Sequence, residues 1–220
     1  TKLMLLDTPG HVDFSAEMER TLQVLDYAVL VISGREGVQG HTVTLWKLLQ
    51  KYEIPVFLFI NKMDLEGADR AQILEELQSS LSAGCLDFED LEEEQAAMCE
   101  EGLLEEYLET GHISVPSMRN SISNRKIFPC YFGSALRMSG VEGFLDGIVQ
   151  FTEEPSYPKQ FGARIYKITR DPQGMRLTHM KITGGTLSVK ETLDLPDAPG
   201  ASGEKVNQIR IYSGGKYQTV

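Results

Sequence analysis

Cysteine is scarce in this sequence. Cys85, Cys99 and Cys130 are odd in number, form no C-x-x-C pair and have no His at ligand spacing. That argues against a disulfide framework or a zinc site and fits thiols kept reduced in a cytoplasmic protein. Long apolar runs are lacking too. The longest, such as Ala28 to Ile32 and Pro55 to Ile60, fall far short of the ~20 residues that cross a bilayer, so no membrane association is expected. No charged segment with a small-residue cleavage site stands at the start, where Thr1 leads directly into an apolar run, and the chain reads as an excised piece. Basic residues are missing from one stretch. Asp87 to Glu109 holds eleven Asp or Glu and no Lys or Arg, which matches the formal net charge of -11, while charges elsewhere cancel. It reads as the solvated face of an acidic helical insertion, about residues 84–126, in preference to a docking site for a basic partner. No basic stripe marks a direct nucleic-acid patch.

What is present is ordinary globular material, 41% hydrophobic and 24% charged over 220 residues, enough for a buried core and a second small domain. Apolar runs at Leu3 to Leu6, Ala28 to Ser33, Val56 to Asn61 and Ile127 to Gly133 alternate with segments of helical periodicity. Phe14, Met18, Leu22 and Leu25 share one such face, Val43, Trp46 and Leu49 a second, Ile73, Leu77 and Leu81 a third, and Phe144, Leu145 and Ile148 a fourth. The alternation predicts an α/β fold with a mainly parallel sheet over residues 1–154. The Glu153 to Pro158 stretch reads as a linker, and over residues 159–220 short β-rich runs separated by Gly-containing turns predict an antiparallel meander or barrel.

Three strings follow apolar runs in a fixed order: Asp7-Thr8-Pro9-Gly10-His11, Asn61-Lys62-Met63-Asp64 and Gly133-Ser134-Ala135-Leu136. In an open parallel sheet, ligands bind at the carboxyl ends of strands. Guanine carries a ring N–H beside an exocyclic amine, an edge that Asp64 can accept as two parallel hydrogen bonds. Adenine would leave that carboxylate unpaired. Asn61 would hold the base and its neighbouring loop, the stem of Lys62 would cover the ring, and the backbone N–H groups of Ser134 and Ala135 could reach the keto oxygen. Asp7 can reach Mg²⁺ through water, and Gly10 lets its backbone approach a terminal phosphate. His11 could orient an attacking water. A Gly-x4-Gly-Lys-Ser/Thr phosphate cradle occurs nowhere in the sequence. His41, His112 and His179 read as surface or packing residues.

With Asp7 to Phe14, Asp26, Gly37-Val38-Gln39, Asn61 to Asp64 and Gly133 to Ala135 in place, the chain resembles translational GTPases of the elongation factor G group. Within that group it is most similar to the tetracycline-resistance ribosomal protection proteins. The short stretch from Asp64 to Gly133, Leu103 to Leu108 and Ile127 to Ala135 carry that likeness. The resemblance implies a partial P-loop GTPase domain followed by part of a β-barrel. It implies GTP or GDP with Mg²⁺ as ligands, the ribosome as the partner of the full-length parent, and hydrolysis when the ribosome orders the His11 loop. Without the cradle and first switch, these 220 residues alone are expected not to hydrolyse GTP. A translocation factor of the same fold, and a degenerate G-domain acting as an interaction module, remain as alternatives.

Overall fold

The computed structural model describes residues 3–8, 15–193, 203–213 and 216–220, which form two compact units, Thr1–Pro155 and Ser156–Val220. In the first, the order is α1 (Ser15–Leu22), β1 (Ala28–Ser33), α2 (Gly40–Lys51), β2 (Val56–Asn61), α3 (Arg70–Ser80), β3 (Cys85–Asp87), α4 (Glu93–Ala97), α5 (Glu101–Thr110), α6 (Val115–Ser123), β4 (Phe128–Phe132) and α7 (Val141–Phe151). The strands form one parallel sheet in the order β1-β2-β4-β3. The central strands read VFLFI and FPCYF because both of their faces are covered. Along β2, Val56, Leu58 and Ile60 join Trp46, Leu49, Ile73 and Leu77 in one core. Phe57 and Phe59 point the other way, to Leu103, Met118, Ile122, Tyr131 and Phe144. Alternation along a single strand thus builds two cores.

Four expectations from sequence need correction. Leu3 to Leu6 is not a strand: the segment has no ladder, and Leu5 is 85% exposed. An apolar run becomes a strand only where a neighbour pairs its backbone, and among the described residues β1 pairs with β2 alone. The region 84–126 is not merely an appended acidic face. It adds β3 to the sheet, and Ala96, Leu103, Met118 and Ile122 close one of the sheet's faces, with Arg70 on α3 clamping Asp87 and Glu89 just beyond. Charge does not cancel outside the acidic run except in the sum. Unit 1 carries 11 Lys or Arg against 27 Asp or Glu, whereas unit 2 carries 10 against 5. On α7, Leu145 faces outward at 48% exposed, and Gly147 takes the buried place because the Tyr131 hydroxyl fills the space that a Cβ would need.

The second unit consists of antiparallel pairs: β5 (Gly162–Arg170) with β6 (Arg176–Gly184), β7 (Thr192–Leu193) with β8 (Glu204–Lys205), and β9 (Arg210–Ser213) with β10 (Lys216–Thr219). The β5–β6 turn is built on Asp171, whose Oδ1 accepts the Gln173 and Met175 N–H groups at 3.1 and 2.9 Å, with Gly174 at φ +82°. Asp171 Oδ2 also holds Arg210 at 3.1 Å, tying the turn to β9. These pairs fit the start of a β domain. No closed barrel forms among the described residues.

The α7 packing predicts opposite outcomes for two neighbours. Gly147→Ala should lower stability by about 1–3 kcal/mol in urea unfolding, since the core has no space for one more carbon. Leu145→Ala should change it by no more than about 0.5 kcal/mol.

Candidate functional site

Adjacent parallel strands β2 and β4 end side by side, and the turns that follow them are bonded together. Gly133 N–H donates to the Ile60 carbonyl at 2.9 Å, and Met63 N–H donates to the Gly133 carbonyl at 3.0 Å. The side-chain oxygen of Asn61 accepts the Lys62 N–H at 2.8 Å and the Ala135 N–H at 2.9 Å. That double acceptance turns the chain sharply and leaves Lys62 at φ +64°, a region few non-glycine residues occupy. Gly133 is required where it stands, because a Cβ would run into the Ser139 carbonyl. From there, residues 134–139 form a tight turn closed by Ser134 N–H to the Ser139 carbonyl at 3.0 Å and Ser139 N–H to the Ser134 carbonyl at 3.1 Å. Met138 at φ +57° and Gly140 at φ +74° then lead into α7.

The structure therefore brings Asn61, Lys62, Asp64, Ser134 and Ala135 to one place. Ser134 is buried while Lys62 and Ala135 are exposed. The Ser134 hydroxyl hydrogen-bonds the Asp64 carboxylate, and this bond, its own backbone N–H and the Arg137 charge hold Asp64 below the ordinary carboxylate range despite partial desolvation. Asp64 is ionised at neutral pH, and the lowered value means that its full acceptor capacity persists further into acid, being lost only as pH falls through that value.

One assigned role changes. Ser134 N–H and Ala135 N–H are both spent inside the protein, on Ser139 and Asn61. Among the described residues, the amide in that turn without an intramolecular acceptor is that of Leu136, whose side chain is 93% exposed. Nothing in the string distinguishes three consecutive amides; only the closed turn does.

Asp7 is exposed and makes no hydrogen bond to this cluster. Gly10 and His11 lie outside the described residues. No three His, Cys, Asp or Glu residues converge among those described. The donors present fit the base of a guanine nucleotide, and a lone exposed Asp7 fits a Mg²⁺ held mainly by phosphate and water.

Sequence reasoning missed two features. Arg137 Nε lies 3.0 Å from Asp64 Oδ2. A cleft of about 390 Å³ opens beside Asn61 and Lys62, lined also by Ser33, Gly37, Gln39 and His41. Ser33 Oγ and His41 Nε2 are buried there with no hydrogen-bond partner. Its far wall is held by Glu76, which accepts the Val38 N–H at 3.0 Å beside Gly37 at φ +65°.

The family model for the elongation factor Tu GTP binding domain matches residues 1–154. The chain belongs to this family. Its fold is accordingly that of a GTP-binding domain, for which GTP or GDP with Mg²⁺ is the general ligand set. Tetracycline resistance protein TetO of Streptococcus pneumoniae is 30% identical over 217 residues, covering 89% of this chain and 34% of its own length. TetW of Butyrivibrio fibrisolvens is 31% identical over 237 residues, covering 98% and 36%. The chain spans about a third of these relatives. A crystal structure of a Thermus thermophilus protein shares the fold with TM-score 0.79 at 20% identity, over 97% of this chain and 39% of that one. Among the described residues, no helix is long and apolar enough to cross a membrane.

Asn61→Ala should free two backbone N–H groups at once. We expect faster hydrogen exchange at the Lys62 and Ala135 amides and a stability loss of about 0.5–1.5 kcal/mol per lost bond. Asn61→Asp, which retains the acceptor oxygen, should keep both amides protected.

Proposed function

We propose that this chain supplies the guanine-recognising part of a translational GTPase that acts on the ribosome and releases tetracycline from it. The observation that carries the nucleotide part is the convergence of Asp64, Asn61 and the 134–139 turn at two adjacent strand ends. Asp64 accepts the paired N–H donors of guanine, and Asn61 fixes the loop that presents it. Lys62 lays its stem along the ring, and the Leu136 amide donates to the keto oxygen. The Ser134 hydroxyl favours and orients the Asp64 carboxylate. Magnesium supplies charge neutralisation at the phosphates when bound, with Asp7 reaching it through water. His11 orients the attacking water once the ribosome orders its loop, as the elongation factor G resemblance implies. Support for the ribosomal and tetracycline parts comes from the names of the TetO and TetW relatives together with that resemblance.

The base assignment predicts that Asp64→Asn, in the protein as its gene encodes it, shifts preference from GTP toward xanthosine triphosphate. An amide donates where the carboxylate accepted. Unchanged GTP affinity in a nucleotide titration would sink it.

The ribosomal assignment predicts that the same protein restores translation in a reconstituted system inhibited by tetracycline, without replacing elongation factor G. His11→Ala should abolish most ribosome-stimulated GTP turnover while GTP binding stays nearly intact, because the lost contact belongs to the transition state. Failure to restore translation removes the tetracycline assignment; normal turnover by the variant removes the role of His11.

A further inference from the structure

The carboxylate assigned to guanine is already engaged. Arg137 stands in the exposed turn after β4, and its guanidinium forms an ion pair with Asp64, Nε lying 3.0 Å from Oδ2. The Arg137 side chain is 69% exposed and that of Asp64 is 16% exposed, so the arginine stands in water while the carboxylate is largely covered. A guanidinium is planar and presents neighbouring N–H donors to a carboxylate. The Watson–Crick edge of guanine does the same, with a ring N–H beside an amine. Both need Asp64, and Oδ2 cannot serve both in full while the Ser134 hydroxyl also bonds the group.

We propose that Arg137 is an internal competitor for the guanine edge. It seats on Asp64 when no base is present and is displaced when guanine arrives, so it sets base affinity and specificity. The inference rests on Asp64 being the guanine acceptor. Apparent affinity falls by the fraction of molecules in which Asp64 is free. Adenine has no pair of adjacent donors. It leaves Arg137 in place, and thereby escapes the penalty of facing an unpaired carboxylate. Arg137 therefore weakens guanine binding and narrows the preference for guanine over adenine. Its removal does the reverse on both counts. An exposed ion pair of this kind corresponds to a factor of roughly two to five in an equilibrium constant.

The test uses guanosine and adenosine, whose lack of charge keeps phosphate contacts out of the readout, titrated by NMR into the protein as its gene encodes it. Arg137→Gln should tighten guanosine about two- to fivefold and weaken adenosine, which then faces an unpaired carboxylate. Arg137→Lys, which keeps the charge but loses the planar fork, should fall between. Raising salt should tighten guanosine in the wild type by screening the pair, and should do nothing in Arg137→Gln. Guanosine affinity that is equal or weaker in Arg137→Gln overturns the inference while leaving the base site intact. An Asp64→Asn protein that binds guanosine like the wild type removes the base site, and the competitor with it.

Discussion

One amide oxygen holds together the turns that follow β2 and β4. Asn61 Oδ1 accepts N–H groups from residues 62 and 135, which belong to different strand ends and stand 74 positions from Asn61 in the second case. Everything at the site follows from that crossing. It bends the chain through Lys62, it brings the 134–139 turn beside Asp64, and it uses up the Ala135 amide that would otherwise face a ligand. The crossing is possible only because β2 and β4 are adjacent, parallel and in register from Leu58↔Cys130 to Ile60↔Phe132. Two fully buried strands with large side chains on both faces leave no freedom for a slip, since a one-residue shift would invert every side chain.

Much of this was legible in the sequence, and the misses have physical causes. β1, β2 and β4 announce themselves as apolar runs bounded by turns, and Trp46, Leu49, Ile73 and Leu77 fall on the buried faces their spacing indicates. Leu3 to Leu6 has the same composition but no ladder neighbour, and composition cannot report pairing. β3 has three residues, too few for any period to show. Leu145 and Gly147 exchange places because Tyr131, sixteen positions earlier, reaches across to α7. Arg137 carried no signal at all. Its partner is 73 residues away, and the turn that aims it is closed by backbone bonds alone.

The acidic insertion shows how one segment serves two environments. Its apolar positions cover the sheet face holding Phe57 and Phe59, while Asp87 and Glu89 pair with Arg70. Two aromatic contacts, Phe59 with Phe144 at 5.0 Å and Tyr131 with Phe144 at 5.5 Å, join that face to α7, the helix that continues from the recognition turn. Core and site thus share a wall. The opposite charge balance of the two units means that the overall pI of about 4.9 describes neither.

Lys62 shows what the Asn61 crossing costs the fold. A lysine at φ +64° costs on the order of 1–2 kcal/mol that glycine would not. A screen for stability alone should therefore select glycine at this position, where the bend is imposed by the two bonds that Asn61 accepts.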